Sequence, residues 1–396
     1  MLRVAYLFER FPSFGQTFCY REVAELVRQG ADVPVFSIRR PTGEPTQDWD
    51  PAIVARVTYL PEEAELVKEV TRAARAGELP KAAAQTLKEW ARQSDFLRLY
   101  QAAYVGLRLR NAGIEHVHAH FAGMAARTAY WIGQFFGISY SVTAHANDIF
   151  APRAFVVSLA KIFDAARAIV TVSDFSVAQL QAAFPQNAAK VSRVYNGVDL
   201  ERFQCATFET EPPLIVAVGR LIQKKGFTDL IGACGLLKAR DVAFHCEIIG
   251  EGPLHDSLAA QIATAKLESH VALVGPRDQT HIADRLARAN VFALPCTTEA
   301  DGGMDNLPTV IMEAMAAGLP VVSTPIAGVP EMVHAGVTGE LVPPNDPAPL
   351  ADALEKILRE PTLARELGAR GRALAAEKFA IEANVRALAD ILTQRR

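Results

Sequence analysis

Short apolar runs alternate with longer amphipathic stretches along most of this chain. The first run covers residues 4–8 (VAYLF), and an amphipathic stretch over residues 17–29, followed by Gly30, separates it from the next run at residues 33–38. Apolar runs of this length are typical of strands that a parallel sheet buries on both faces. The order strand, helix, strand therefore predicts a parallel sheet covered by helices.

The same alternation occurs in both halves of the chain. The first half has further predicted strands at residues 114–121, 139–143, 168–172 and 191–196. Residues 197–213 have the irregular, polar character of a linker, and the second half has predicted strands at residues 214–218, 244–249, 271–274, 291–294 and 321–323. We therefore predict an α/β protein in which two doubly wound, Rossmann-like domains face each other across a cleft.

The domain boundary follows from the same pattern. We assign residues 1–203 to the first domain and residues 204–379 to the second. The apolar residues of the last predicted helix, residues 381–395, share one side, namely Val385, Leu388, Ala389 and Leu392. Because an apolar stripe on a helix needs a surface to cover it, we expect residues 380–396 to cross back and pack on the first domain.

Composition narrows the range of functions. Half of the residues are hydrophobic and 21% are charged, a profile typical of soluble globular proteins. No apolar run reaches the roughly 18–20 residues that cross a membrane, and Glu9 and Arg10 interrupt the apolar N-terminus, which we interpret as a strand rather than a signal peptide. We expect a cytoplasmic protein. The net charge of −3 is too close to neutral for binding that depends on neutralising nucleic-acid phosphates, so we expect no nucleic-acid partner.

Two patterns in the first half raise the possibility of a metal site. Asp48 and Asp50 form a D-W-D triplet in a polar loop, a pattern that can hold a divalent cation but also arises easily by chance. His116, His118 and His120 alternate on a predicted strand and therefore share one face, but no neighbouring carboxylate or cysteine completes a ligand set. We favour a strand that delivers His120 to the ligand-binding edge of the sheet, and we expect no metal.

One predicted helix carries an aromatic stripe. Phe96, Tyr100 and Tyr104 follow one another at four-residue spacing within residues 96–110. Such a stripe is usually part of a core, which is the interpretation we favour. The alternative is a helix that lies on a membrane surface.

Basic and small residues follow the first strands of the second half. Residues 219–226 (GRLIQKKG) come directly after a buried strand, which places Arg220 and Lys225 at its carboxyl end, where two cations can offset the charge of a diphosphate. The alternative is a solvated basic turn. The segment lacks the G-x-x-x-x-G-K-[ST] pattern of nucleotide hydrolases, which disfavours ATP hydrolysis.

Two further turns are expected at the same edge of the sheet. Gly250 and Gly252 follow the strand at residues 244–249, and glycines at such positions let a flat base approach the backbone closely. The turn at residues 275–277 ends in Arg277.

A loop that leads into a helix lies at residues 301–318 (DGGMDNLPTVIMEAMAAG). Asn306 is the predicted N-cap, Pro308 fits the first turn and Gly318 is a helix stop. A helix N-terminus favours an anion such as phosphate, and Glu313, farther along the helix, can accept hydrogen bonds from a ribose diol. The alternative is an ordinary capped helix.

Taken in order, these segments resemble a known family. GRLIQKKG, IIGEGP, LVGP and DNLPTVIMEAMAAGLPVVST are similar to the nucleotide-sugar half of the retaining GT-B glycosyltransferases of family 4. HVHAHF, TAHANDIF, VTVSDFS and NGVDLERF agree in the first half, so the resemblance covers most of the chain. The opening FPSFGQTFCYRE resembles a subset of bacterial enzymes that build exopolysaccharide repeat units on lipid carriers, with Gly15 and Gln16 where Ser and Glu are usual.

The resemblance implies a GT-B fold and a retaining transfer reaction. A sugar would move from a UDP- or GDP-sugar, bound by the second domain, to a hydroxyl of a glycan or lipid-linked acceptor, bound by the first. No metal and no other cofactor is implied. The inner face of the cytoplasmic membrane is a candidate docking surface, and surface or exopolysaccharide biosynthesis is the implied process.

The resemblance also implies roles for individual residues. Arg220 and Lys225 would hold the donor diphosphate, Glu313 would bind the ribose hydroxyls, and His145 matches the family's histidine near the transferred sugar. Asp305 occupies the first position of the family's Glu-x₇-Glu pair, where its side chain is one methylene shorter. The other candidates are Gly219, Gly250, Gly252, Arg277, Asn306 and Leu307 on the donor side and Gly15, Gln16 and His120 on the acceptor side.

Two other functions fit the same two-domain frame. A sugar-nucleotide epimerase would act on the donor alone. A non-catalytic sugar-nucleotide-binding protein, under no catalytic demand, could lose Arg220, Lys225 and Glu313, so their presence argues against it. The altered Asp305 and Gln16 keep this alternative open.

Overall fold

The structure is a computed structural model that describes residues 2–90, 95–150 and 155–393. The strands of the first sheet are β1 (Ala5–Arg10), β2 (Val35–Arg39), β3 (Val57–Tyr59), β4 (His116–His120), β5 (Ser139–Thr143), β6 (Ala168–Thr171) and β7 (Val191–Arg193). Those of the second sheet are β8 (Leu214–Val218), β9 (His245–Ile249), β10 (Val271–Gly275), β11 (Val291–Leu294), β12 (Val321–Ser323) and β13 (Gly339–Leu341).

Helices connect these strands. Those in the first half are α1 (Thr17–Arg28), α2 (Pro51–Val54), α3 (Glu63–Arg75), α4 (Lys81–Glu89), α5 (Phe96–Asn111), α6 (Met124–Phe136), α7 (Ala146–Phe150), α8 (Leu159–Ala165) and α9 (Asp174–Ala183). Those in the second half are α10 (Phe227–Ala239), α11 (His255–Thr264), α12 (Gln279–Arg288), α13 (Thr309–Ala316), α14 (Val329–Met332), α15 (Pro347–Arg359), α16 (Pro361–Lys378) and α17 (Ile381–Thr393).

Both sheets have the doubly wound arrangement predicted from the sequence. Within the described residues the first sheet has seven strands in the order β3-β2-β1-β4-β5-β6-β7, and the second has six in the order β10-β9-β8-β11-β12-β13. All neighbouring strands are parallel. In each sheet the chain starts near the centre, moves to one edge and returns to build the other, so two Rossmann-like domains are confirmed.

Two edge strands were not predicted from the sequence. β3 and β13 are each three residues long, and each is an edge strand of its own sheet. A three-residue strand is too short to show a period of two, and edge strands are not buried enough to be uniformly apolar.

The last helix packs on the first domain as predicted. Val385, Leu388 and Leu392 of α17 are buried in a cluster with residues of β1 and α1. The chain therefore passes between the domains twice, and the two crossings lie side by side, because Val198 donates to the carbonyl oxygen of Phe379 at 2.8 Å. Residues 394–396 of the predicted helix lie outside the described residues.

The aromatic helix α5 is a core element. It packs on α3, α4 and α6, and Leu99, Tyr104 and Leu109 are buried. Tyr100 is partly buried against the same cluster, which confirms the core interpretation of the stripe. Among the residues that the structure describes, no helix is long and apolar enough to span a membrane.

Helix α13, which carries Glu313, rests on α16. A Cβ atom added to Gly368 in α16 would lie 1.9 Å from the carbonyl oxygen of Gly318, so only glycine fits there. At Gly371, one turn later in α16, an added Cβ atom would have no neighbouring atom closer than 3.6 Å, which is an ordinary van der Waals distance.

We expect Gly368→Ala to lower the free energy of unfolding by about 1–3 kcal/mol, because the added methyl group must push two backbones apart. Gly371→Ala is the matched control on the same helix, and we expect it to raise stability by up to about 1 kcal/mol, because alanine favours helix over glycine. Urea denaturation followed by circular dichroism measures both values. Equal effects of the two substitutions would contradict the proposed contact.

Candidate active site

Loops that follow strands of both sheets meet between the two domains. Ser173, just after β6, donates a hydrogen bond of 2.5 Å to Oδ1 of Asn306, which lies between β11 and α13. Both loops leave the carboxyl ends of parallel strands, the edge at which doubly wound domains bind ligands. The two ligand-binding edges therefore face one another.

The basic loop after β8 holds two amines beside one carboxylate. Nζ of Lys225 forms an ion pair with Oδ2 of Asp305, and Nζ of Lys224 lies 3.6 Å from Oδ1. Burial, the largest single influence, lowers the pKa of Lys225, but the charge and hydrogen bond of Asp305 together with the neighbouring Cys296 hold this pKa above its ordinary value. Lys225 therefore remains a cation although its side chain is mostly buried. Arg220, in the same loop, is exposed.

Glycines after β9 let two loops of the second domain touch. A Cβ atom on Gly250 would lie 1.9 Å from the carbonyl oxygen of Gly219, and one on Gly252 would lie 2.6 Å from that of Leu221. Both glycines also have positive φ angles, +150° and +158°. Their observed role is to allow the loop after β9 to pack against the basic loop. The approach of a nucleotide base to them stays a prediction.

Two further donor-side candidates lie at opposite extremes of exposure. Arg277 is exposed after β10, and its Nη1 donates to the neighbouring carbonyl oxygen of Pro276 at 2.9 Å. Leu307 is buried between β11 and α13.

The prediction that Asn306 caps the helix is wrong. Helix α13 begins at Thr309, and Pro308 is its N-cap residue. Asn306 is a buried link, because its Oδ1 accepts from Ser173 and its carbonyl oxygen accepts from the backbone N–H of Gly328. Among the described residues its side-chain nitrogen has no hydrogen-bond partner. A short polar residue before an apolar run resembles a cap, even when its side chain turns away from the helix.

Glu313 lies inside the domain interface and is paired with a residue of the first domain. Its Oε1 accepts from Nη2 of Arg21 on α1. The two side chains are 4% and 8% exposed, and Nε of Arg21 is buried without a partner among the residues described. Taking one charge away from such a pair leaves the other buried and uncompensated, at a cost of about 3–5 kcal/mol. The pair therefore links the two domains at the candidate ribose-binding residue.

A carboxylate of the second domain caps a helix of the first. Both oxygens of Glu331 accept backbone N–H groups at the start of α9, from Asp174 at 2.9 Å and Phe175 at 3.0 Å. The hydroxyl of Tyr195 donates to the same carboxylate. A negative charge at a helix N-terminus satisfies open N–H groups and the helix dipole, so this contact stabilises the arrangement of the domains.

The D-W-D carboxylates have structural partners. Asp48 accepts from Thr280 of α12 at 2.7 Å and also pairs with Arg202. Asp50 caps α2 by accepting from the backbone N–H of Ala52 at 2.8 Å. The loop thus joins the domains instead of presenting two free carboxylates to a cation.

His120 and His145 lie together in a buried cluster. Nδ1 of His120 is 3.2 Å from Nε2 of His145, and the rings stack with centroids 5.4 Å apart. Burial lowers the pKa of His145 well below its ordinary value. The backbone N–H of His145 donates to Asp148, whose pKa burial raises to about 6. The strand ends β4 and β5 therefore bring together two histidines that the sequence placed 25 positions apart.

The expectation that no carboxylate or cysteine lies near His120 is wrong. Oε1 of Glu22 on α1 is 2.9 Å from Nε2 of His120, and the sulfur of Cys19 is 3.6 Å from Nδ1. Helix α1 crosses over the end of β4, a contact between segments about 100 positions apart that spacing in the sequence cannot reveal.

Glu22, His118 and His120 are close enough to hold a metal ion. However, both ring nitrogens of His118 already lie within 2.9 Å of hydroxyl groups on β5, those of Ser141 and Thr143. His116 is bonded in the same way to Ser139 and Ser141. These histidines form a buried ladder of hydrogen bonds between β4 and β5, and only His120 extends beyond it.

The loop before α1 contains the remaining acceptor-side candidates. Gly15 is exposed and Gln16 directly precedes α1, in a short 3₁₀ turn, Phe14–Gln16. Glu44 anchors this turn by accepting from the backbone N–H of Phe14 at 2.6 Å.

The sequence did not predict four residues of this site, namely Arg21, Glu22, Ser173 and Glu331. Arg21 and Glu22 belong to the segment FPSFGQTFCYRE that carried part of the resemblance, so two adjacent charges within that segment were a usable signal. Ser173 and Glu331 are ordinary polar residues at the starts of helices, and only the contact between domains distinguishes them.

Each of the two domains matches a family model of glycosyltransferases. Residues 15–202 match the family model described as Glycosyltransferase Family 4, and residues 200–374 match the model described as Glycosyl transferases group 1. The chain is 30% identical to an Escherichia coli K12 protein named as the colanic acid biosynthesis glycosyltransferase WcaL, across 89% of this chain and 90% of that protein.

Two further likenesses concern part of the chain and the fold. The amylovoran biosynthesis glycosyltransferase AmsK of Erwinia amylovora is 40% identical across 43% of this chain and 42% of that protein. The crystal structure of Anabaena HepE in complex with UDP superposes with a TM-score of 0.71 at 17% identity, over 99% of this chain and 100% of that one. At this identity the match shows the fold alone, which is GT-B. With its two domains matching these two models in order, the chain belongs to the family 4, group 1 glycosyltransferases.

Proposed function

We propose that this glycosyltransferase moves a sugar, with retention of anomeric configuration, from a UDP- or GDP-sugar to a hydroxyl group of a glycan or lipid-linked acceptor. The second domain would bind the nucleotide sugar and the first domain the acceptor. The reaction would need no metal and no other cofactor. We place it in the biosynthesis of a surface polysaccharide or exopolysaccharide, in the cytoplasm and at the inner face of the cytoplasmic membrane.

The observation that carries this proposal is the buried cation at the carboxyl end of β8. Lys225 is held beside Asp305 and keeps its charge despite burial. A fixed cation in a partly dry site stabilises a leaving diphosphate much more than a solvated one does. Arg220, exposed in the same loop, provides a second positive charge for the donor.

The groups present support a front-side reaction. As the bond between the anomeric carbon and the phosphate oxygen breaks, the acceptor oxygen bonds to the same face of the sugar, and its proton passes to the departing phosphate oxygen. A double displacement would need a carboxylate nucleophile. Asp305 is a poor candidate for that role, because an ion pair with Lys225 engages its carboxylate.

Hydrogen bonding argues for a reaction that is independent of metal. Asp48 and Asp50 are engaged with Arg202, Thr280 and the start of α2. The nitrogens of His118 are engaged with hydroxyl groups. Within the described part of the chain, the ligand sets that sequence or geometry suggests therefore already make hydrogen bonds or ion pairs inside the protein.

The names of the relatives support the process and the donor class. WcaL and AmsK are named for colanic acid and amylovoran biosynthesis, and HepE was crystallised with UDP. WcaL and AmsK are both named as glycosyltransferases, so the epimerase alternative is not favoured.

We expect one class of nucleotide sugar to stabilise the protein in a thermal-shift screen of UDP-, GDP- and dTDP-sugars. A ligand at 100 times its dissociation constant adds about 2.7 kcal/mol to the free energy of unfolding. The shift should persist in EDTA, because no metal is expected to bridge the diphosphate and the protein. A shift that EDTA abolishes would contradict metal independence, and no shift with any nucleotide sugar would contradict the donor assignment.

With the donor known, Lys225→Met should lower kcat by about 10²–10³, equivalent to about 2.7–4 kcal/mol of lost transition-state stabilisation. Methionine keeps the aliphatic stem that packs against Gly219 but removes the charge. Lys238→Met on α10 is the control, since it removes a lysine of the same domain whose ammonium group donates to the carbonyl oxygen of Lys266. Unchanged turnover in Lys225→Met would show that the diphosphate assignment is wrong.

The stereochemical prediction is separate. Early in the reaction, ¹H NMR should show a product with the anomeric configuration of the donor, because attack and departure share one face. An inverted product would rule out the front-side route and leave the donor assignment intact.

A further inference from the structure

We infer that Glu22 is a positioning residue that acts through His120 to place the proton of His145 on Nε2 and to keep its Nδ1 unprotonated. The functional meaning of this inference rests on the proposed function, in which His145 lies near the transferred sugar. An imidazole nitrogen without a proton accepts a hydrogen bond from a sugar hydroxyl, whereas one with a proton cannot. The proton's location on His145 therefore decides which sugar groups the site can hold.

The first step is the fixed carboxylate. The hydroxyl of Tyr6 on β1 donates to Oε1 of Glu22 at 2.8 Å. Burial raises the pKa of Tyr6 well above its ordinary value, and the charge of Glu22 raises it further, so this hydroxyl keeps its proton. An ionised carboxylate can only accept hydrogen bonds. Glu22 therefore presents an acceptor to whatever else approaches Oε1.

The second step is His120, whose Nε2 lies 2.9 Å from that same oxygen. Facing an acceptor, Nε2 must carry a proton. The ring is held in place by stacking on Tyr6 and Phe8, with centroids 5.7 Å and 5.1 Å away. A neutral imidazole protonated on Nε2 has a lone pair on Nδ1, so Nδ1 of His120 is the nitrogen that accepts a hydrogen bond.

The surroundings of His120 Nδ1 fit an acceptor. The sulfur of Cys19 is 3.6 Å away, and burial raises the pKa of this thiol well above its ordinary value, so it keeps its hydrogen. Nε2 of His145 lies 3.2 Å away on the other side. Both neighbours can donate to Nδ1.

The third step is His145. Burial lowers its pKa well below the ordinary value, so the ring is neutral and has a single proton. Since Nε2 faces the lone pair of His120 Nδ1, the proton lies on Nε2 and Nδ1 is left unprotonated. Stacking on His120 and contact with Phe121, at a centroid distance of 4.4 Å, fix the orientation of the ring.

Nuclear magnetic resonance tests this chain of hydrogen bonds directly. The full-length protein, labelled with ¹⁵N-histidine, is examined by long-range ¹H–¹⁵N correlation, in which an unprotonated ring nitrogen resonates far downfield of a protonated one. His120→Gln and His145→Gln assign the two signals among the nine histidines. In the wild type we expect both rings to be protonated on Nε2 only.

Substitutions of Glu22 then test its role. Glu22→Leu removes the acceptor, so the His145 nitrogens should shift toward the average of exchanging tautomers. Glu22→Gln should keep the wild-type pattern, because Tyr6 holds the amide oxygen in the place of Oε1. Glu25→Leu is the matched control, because Glu25 is a buried carboxylate on the same helix that accepts from Arg28 and Gln29 rather than from His120.

Several outcomes would overturn the inference. Protonation of wild-type His145 on Nδ1 would mean that His120 donates to Nε2 of His145, which reverses the direction of the hydrogen bond between the two rings. Unchanged His145 signals in a folded Glu22→Leu variant, or equal shifts in Glu25→Leu, would remove the role of Glu22. If Glu22→Leu does not fold, the spectra of the wild type and of Glu22→Gln still test the inference. Either spectrum contradicts it if the rings of His120 and His145 are not both protonated on Nε2 only.

The experiment separates this inference from the proposed function. The spectra need no donor or acceptor, so they hold or fail by themselves. Calorimetric titration of the wild type and Glu22→Gln with UDP-glucose and GDP-mannose tests the donor site, which Glu22 does not contact. Failure of both sugars to bind the wild type would count against the proposed donors and leave the tautomer assignment standing.

Discussion

A charge removed from water must have a partner, and this requirement organises the centre of the molecule. Arg21 and Glu313 come from different domains, and each is the other's counter-charge in a nearly dry interface. Lys225 and Asp305 are paired in the same way on the donor side. Because an unpaired buried charge costs several kcal/mol, the Arg21–Glu313 pair restricts how the domains can sit relative to each other. The Lys225–Asp305 pair lies within the second domain and holds its donor side in place.

Helix α1 serves both domains from two adjacent positions. Consecutive residues on a helix point about 100° apart, since a turn contains 3.6 residues. Arg21 therefore reaches across the interface to Glu313, while Glu22 turns back to His120 in its own domain. A small rotation or shift of α1 would disturb the contact with the candidate ribose-binding residue and the histidine pair together, so the donor and acceptor sides are mechanically connected.

The parts of the fold that sequence predicted share a physical cause. Strands buried on both faces are mostly apolar, which is why β8 and β11 have the bounds expected from their apolar runs. The stripe on α17 predicted its packing on the first domain for the same reason. The failures have a cause too. β3 and β13 are too short for any pattern, and Asn306 has the composition of a cap although its side chain bonds to Ser173.

By itself the sequence determined the two sheets, the returning helix and the family, because burial imposes an apolar pattern that can be read locally and the cleft segments are distinctive. It also placed Lys225, His120 and His145 near the carboxyl ends of strands, and Glu313 within the helix that follows the loop of Asp305. Only the tertiary structure decided what each of these groups faces: Asp305, Arg21, Glu22 and one another. Most of these pairs join residues dozens to hundreds of positions apart, and a hydrogen bond depends on distance in space, which no spacing along the chain records.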